Sequence, residues 1–331
     1  MSLTSYQTAP PREVFIYSKF RITTRQLQIL KYIKIMKYFI VTGGAGFIGS
    51  NLIELLLKKT KENILSLDDY STGNKKNHLK NKRVKYIKGN TKYFKKFFYK
   101  YKNNTKAIFH FAEFSRIAQS FIKTDKCFES NLKGTYEVID FCLKNKIKII
   151  YSATSASLGN NGLDQNLSPY AYTKSKNMNL IMNLNQWFNL KYEIIYFYNV
   201  YGPRQIYNNF MSAVIAIFED CTKKNKKLPI VKPGTQRRNF THVTDTVEAC
   251  LYAFKKNKNR HYSVFSKYSY SIIEIAKLFS KKYKFVSSRR GERFKSAQVK
   301  KILNKKIYNI SAKRKITSYI KTFKNNINKG M

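Results

Sequence analysis

Two rhythms of apolar and polar positions run along this chain. From Met36 onward, short unbroken apolar runs take turns with longer segments whose apolar residues recur every three or four positions. Tyr38-Phe39-Ile40-Val41 is the first run, and its continuous hydrophobicity suits a strand buried on both faces. A glycine-rich turn follows. Phe47 to Lys59 then places Ile48, Leu52, Leu55 and Leu56 on one helical face. Ile64 to Leu67, Val84 to Ile87, Ala107 to Phe109, Ile147 to Tyr151 and Ile194 to Phe197 predict five more strands. Tyr93 to Tyr101, Cys127 to Lys144 and Tyr170 to Phe188 predict helices between them. Such alternation implies right-handed crossovers and a parallel sheet covered on both faces. The expected fold is therefore α/β, a Rossmann-type doubly wound parallel sheet.

After about Tyr201 the alternation weakens. Helices are predicted at Phe210 to Cys221, Thr244 to Lys255 and Ser271 to Lys282, with short strands and loops between. The expected organisation is a sheet domain over 37–200 and a smaller C-terminal α/β domain over 201–331, parts of which can return to the sheet. Residues 1–36 fit neither rhythm. They are polar and basic, hold one acidic residue, Glu13, and carry Pro10-Pro11. They lack the apolar core of a signal peptide. They read as an N-terminal extension: a start placed too early, with Met36 the true first residue, a poorly ordered tail, or a transit peptide.

Hydrophobic residues make up 43% of the 331 positions and aromatics 15%, enough for a sizeable core. No apolar run, Ala213 to Phe218 included, approaches the length of a membrane span. Cys127, Cys142, Cys221 and Cys250 are scattered without metal-ligand spacing, so no metal is expected and a reducing compartment is. With no convincing targeting signal, the expected location is cytoplasmic. The formal net charge of +46 first suggests a nucleic-acid binder. The lysines are spread along the whole chain, however, and Lys, Asn, Ile, Tyr and Phe are enriched together. These are the residues of adenine- and thymine-rich codons, so the charge reads as coding bias and nucleic acid is not an expected partner. The field still attracts anionic ligands.

Between the first strand and first helix, Thr42-Gly43-Gly44-Ala45-Gly46-Phe47-Ile48-Gly49 spaces Gly43, Gly46 and Gly49 as a phosphate-binding turn. The first glycine permits the sharp turn, the second lets backbone approach a pyrophosphate, and the third allows close helix packing. The helix N-terminus, with Phe47 and Ile48, then offers N–H groups to phosphate. Asp68 ends the second strand, where a carboxylate holds ribose hydroxyls and repels a 2′-phosphate. NAD is therefore the expected cofactor.

With further motifs the chain resembles the extended short-chain dehydrogenase/reductases, in their nucleotide-sugar epimerase/dehydratase branch. These motifs are His110-Phe111-Ala112, Asn131-Leu132-Lys133-Gly134-Thr135, Ser152-Ala153-Thr154, Tyr170-Ala171-Tyr172-Thr173-Lys174 and Tyr198-Asn199-Val200-Tyr201-Gly202-Pro203-Arg204. The resemblance implies that 37–200 binds NAD, with Ala112, Asn131, Tyr170, Lys174 and Tyr198 joining the glycine turn and Asp68 around it. It implies that 201–331 mainly binds the nucleotide sugar. Tyr170 and Lys174, at i and i+4, share one helix face. A free tyrosine titrates near 10 and is a poor base at neutral pH. A nearby ammonium and a cationic nicotinamide favour the phenolate. Tyr172 and Lys176 repeat the spacing, but Pro169 precedes Tyr170, as in the family pattern. Thr154 would hydrogen-bond the reacting hydroxyl. Asn199, Arg238 and Arg289 would hold the sugar diphosphate, the arginines through their forks.

Four positions and one loop depart from the pattern. Asn90 stands for an Asp, Glu113 for a small residue, Asn239 for an Asp and Tyr196 for an Arg, and the loop from Gly159 to Tyr170 is short. Dehydratases of this branch carry Asp-Glu after the catalytic Thr, and decarboxylases a Glu. Thr154-Ser155-Ala156-Ser157-Leu158-Gly159 has no carboxylate. The implied reaction is epimerisation, as in UDP-glucose 4-epimerases. The alternatives are another nucleotide-sugar oxidoreductase, a 4-keto reductase or 4,6-dehydratase, and a non-enzymatic NAD- or RNA-binding relative. The resemblance also implies a homodimer through the helices at 127–144 and 170–188.

Overall fold

The computed structural model describes residues 36–155, 164–207, 210–288, 290–291, 301–302 and 305–329. The expectation for residues 1–35 lies outside them. Eight strands form one wholly parallel sheet: β1 (Tyr38–Thr42), β2 (Asn63–Asp68), β3 (Val84–Lys88), β4 (Thr105–His110), β5 (Lys148–Thr154), β6 (Tyr192–Phe197), β7 (His261–Phe265) and β8 (Tyr308–Ser311). Their order is β8-β7-β6-β5-β4-β1-β2-β3. The six strands expected from apolar runs are present, each within a few residues of its expected bounds. β7 and β8 come from the C-terminal part of the chain and extend the sheet beyond β6.

Among the described residues seven helices of eight residues or more accompany the strands: α1 (Phe47–Lys59), α2 (Thr135–Lys144), α3 (Pro169–Phe188), α4 (Val214–Lys223), α5 (Val243–Lys256), α6 (Ile272–Phe279) and α7 (Ile316–Asn328). Two apolar clusters flank the sheet. One joins Ile108, Ile149 and Ile194 to Val138 and Ile139 of α2 and Met178 and Ile181 of α3. The other joins Phe39, Val41 and Ile150 to Leu52, Ile53 and Leu56 of α1 and Val247 and Leu251 of α5. A third cluster holds the smaller C-terminal part together through Phe218, Ile230, Phe240, Ile275, Phe279 and Ile320. Among the described residues no helix is long and apolar enough to cross a membrane.

Four helices differ from their expected extents, the one expected at 210–221 running from Val214 to Lys223. The helix expected at 93–101 is α-helical only over Phe94–Phe98, with tighter turns on either side. The one expected at 127–144 begins at Thr124 and passes through a widened π-turn at Glu129–Gly134 before α2. The one expected at 271–282 stops at Phe279; Ser271 caps its start in a reciprocal box with Glu274.

Candidate active site

Strand order reverses beside β1, with β2 on one side and β4 on the other. In open parallel sheets a crevice opens beyond the C-terminal strand ends at such a point. Here a cleft of about 720 Å³ lies there. Gly43, Gly46, Phe47, Ile48, Gly49, Asp68, Ala112, Thr154, Tyr170, Lys174, Asn199 and Arg238, all expected from the sequence, line it.

The nucleotide end is set by the turn between β1 and α1. Gly43 N–H donates to Leu67 O at 2.8 Å, tying the turn to β2. Gly46 is the N-cap of α1 and no side chain caps it. The first-turn N–H groups therefore have no side-chain acceptor and suit an anion. A Cβ on Gly49 would stand 2.1 Å from Gly43 O, whereas one on Gly46 would meet only Gly43 O, at 3.1 Å. Asp68 receives Ala45 N–H on Oδ2 at 2.9 Å and Tyr70 N–H on Oδ1 at 2.8 Å. Burial raises its carboxyl above the usual range, against the pull of those two bonds.

At the other end, a directed hydrogen-bond chain links the turn to the lysine. Phe111 and Ala112 N–H donate to Thr42 Oγ1 at 3.0 and 3.2 Å. The Thr42 hydroxyl is left to donate to His110 Nδ1, 2.8 Å away. His110 Nε2 then carries the proton and donates to Thr135 Oγ1 at 2.9 Å. Thr135 in turn donates to Glu113 Oε1 at 3.2 Å. Burial lowers the His110 imidazole to about 4, which suits this neutral tautomer. Glu113 pairs with Lys174 Nζ, which also donates to Ser152 O. Tyr170 is almost buried, and its N–H donates to Ser120 Oγ at 3.2 Å.

Two expected cofactor residues do not reach the cleft. Tyr198 is buried in the core, where its hydroxyl accepts from Ser263 Oγ at 2.9 Å and its ring packs on Phe265. Its neighbours Phe197, at the end of β6, and Asn199, where the backbone turns, line the cleft instead. Asn131 is fully buried in the π-turn. It accepts Phe114 N–H at 2.6 Å and donates to Phe114 O at 3.1 Å and Thr173 Oγ1 at 3.1 Å. It thus clamps the loop after β4 against α3. Arg289 lies outside the described residues. Glu113 and Arg116 are among the cleft residues that were not expected. Arg116 donates from Nε to Met211 O at 2.6 Å, and burial lowers its pKa. Its signal in the sequence is a lone cation in the otherwise cation-free stretch from Ala107 to Ile122.

A glycine turn at a helix N-terminus, an acid ending the next strand and a cleft at the sheet's switch point together define a dinucleotide-binding α/β protein. The match to known proteins is narrower. Residues 39–265 match the model of the NAD dependent epimerase/dehydratase family, and the chain belongs to that family, among the extended short-chain dehydrogenase/reductases. It is 28% identical over 267 residues to a dTDP-D-glucose 4,6-dehydratase of Dictyostelium discoideum, covering 72% of this chain and 60% of that one. It is 27% identical over 266 residues to an ADP-L-glycero-D-manno-heptose-6-epimerase of Brachyspira hyodysenteriae, covering 75% of this chain and 82% of that one. The fold matches that of UDP-glucose 4-epimerase with UDP-glucose from Thermotoga maritima at a TM-score of 0.78 and 22% identity, over 88% of this chain and 99% of that one.

Proposed function

We propose that the chain is an NAD-dependent nucleotide-sugar 4-epimerase. The observation that carries this reading is that Tyr170 and Lys174, one helical turn apart on α3, line the same cleft as the glycine turn and Asp68. The residues fit a dinucleotide: space above Gly46, an uncapped helix start and a carboxylate with lone pairs to spare for ribose hydroxyls. When bound, NAD supplies a reversible hydride acceptor for carbon 4 of the sugar. Tyr170 takes the proton of the 4-hydroxyl and gives it back, with Lys174 one helical turn away. Thr154 orients that hydroxyl. Asn199, Arg238 and Arg289 hold the diphosphate while the sugar turns over. Residues 37–200 serve the cofactor and 201–331 mainly the sugar.

The segment after Thr154 lacks the acid pair that elimination of water needs, which favours epimerisation over dehydration. A homodimer is supported by the aromatic surface of Phe128, Tyr136 and Tyr172, all exposed, with Phe128 and Tyr172 stacked at 6.1 Å. The test is incubation with UDP-glucose, UDP-galactose and their N-acetyl forms, with chromatography of the products. Interconversion without net cofactor consumption supports the reading. Stoichiometric oxidation of NADH or NADPH, or a dehydrated product, replaces it. Mass spectrometry of the copurifying nucleotide identifies the cofactor.

A further inference from the structure

Glu113 has no part in the chemistry above, yet its carboxylate is enclosed at the cleft. Its side chain is 1% exposed, and that of Lys174 is 5% exposed. A carboxylate so far from water keeps its charge only where donors surround it. Glu113 has four. Lys174 Nζ and Asn177 Nδ2 come from α3, the latter at 3.2 Å. Tyr151 Oη donates from β5 at 2.9 Å and Thr135 Oγ1 from α2 at 3.2 Å. The lysine is equally committed. An ammonium has three hydrogens, and Glu113, Ser152 O and Ser152 Oγ accept them. The Tyr151 ring covers a further side, 4.7 Å from Nζ.

We infer that Glu113 is the buried counter-ion that keeps Lys174 charged and fixed one turn from Tyr170. It is a positioning residue for the base rather than a group that touches substrate. The inference rests on Tyr170 and Lys174 being the acid–base pair. The other charged or titratable groups facing this cluster are the Tyr170 phenol, the Arg116 guanidinium on the cleft wall, the Cys127 thiol and the neutral His110 behind Thr135. Among the described residues no second carboxylate pairs with Lys174. Without Glu113 the ammonium would keep only neutral acceptors, and burial would drive off its proton.

The test is competitive labelling of lysines with fluorodinitrobenzene across a pH series, read residue by residue by mass spectrometry. Lys176, exposed on the same helix, is the internal reference. In the unaltered protein Lys174 should gain reactivity at the same pH as Lys176 or higher; gaining it at lower pH overturns the inference. In Glu113→Gln the Lys174 profile should move down by about one pH unit or more while Lys176 stays. Coincident profiles overturn it, and the unaltered protein decides if that variant does not fold. Glu113→Asp, which keeps the charge, should lie closer to the unaltered profile. Labelling needs no substrate, so it reads out even if the sugar assignment fails. With an active sugar in hand, kcat of Glu113→Gln should fall about tenfold or more at an unchanged sugar KM.

Discussion

Gly46 and Gly49 stand three residues apart in one turn, and an added methyl should break the protein in two different ways. In Gly49→Ala the Cβ would stand 2.1 Å from Gly43 O, 2.8 Å from Gly43 C and 2.8 Å from Gly44 Cα. All three are backbone, so no rotamer relieves them, and α1 must move off the turn by about an ångström. Forced overpacking of this kind costs about 1–3 kcal/mol. With about 2–4 °C lost per kcal/mol in domains of this size, the melting temperature should fall by roughly 2–12 °C. In Gly46→Ala the Cβ meets only Gly43 O at 3.1 Å, and the backbone there has φ −80°, open to any residue. The fold should lose only about 1 kcal/mol, from a poorer N-cap. What the methyl occupies is the space above the helix start, where a pyrophosphate would approach. NAD affinity should drop at least tenfold, about 1.4 kcal/mol. The assay is thermal unfolding followed by near-UV circular dichroism, alongside NAD titration by calorimetry. Equal melting losses in both variants, or unaltered NAD affinity in Gly46→Ala, would refute the reasoning.

Three further outcomes are expected. Tyr170→Phe should lose about 100-fold or more in kcat with an unchanged melting temperature; retained turnover removes Tyr170 as the base. Asn131→Ala should lower stability by about 2–3 kcal/mol in urea unfolding, because it orphans both polar groups of Phe114, while NAD affinity stays within about threefold. His110 titrates near 6.5 when unfolded and about 4 when folded, so the unfolded chain binds the extra proton between those values. Its contribution is complete above pH 6.5 and fades as pH falls toward 4, a loss of about 3 kcal/mol visible in urea midpoints; a flat profile there would contradict a buried neutral imidazole.

β1, β2, β4, β5 and β6 were legible because burial on both faces leaves them largely apolar, whereas β3, Val84-Lys85-Tyr86-Ile87-Lys88, is partly exposed and alternates apolar residues with lysines. The glycine turn and Asp68 were legible because their chemistry demands those residue types at that spacing. Tyr198 was expected at the cleft but lies in the core between two cleft residues, just where β6 ends and the backbone turns at Asn199. Asn131 lay in the expected motif, but its contacts run to Phe114 and Thr173, far along the chain, which spacing does not reveal. Glu113 registered only as a departure from pattern. Its meaning depends on Tyr151, Thr135, Asn177 and Lys174 converging from three elements. The helix at Ile316–Asn328 did leave a trace, with Ile316, Tyr319, Ile320 and Phe323 at helical spacing, but lysines and asparagines dilute it.

The outermost strands beside β6 have a bearing on how the chain is made. During synthesis β6 emerges long before its neighbour: residue 197 ends one strand and residue 261 begins the next. At about 5–20 residues per second, the newborn domain waits several seconds with an open apolar border. A ribosome stalled in that interval would release a fragment ready to pair with the wrong strand.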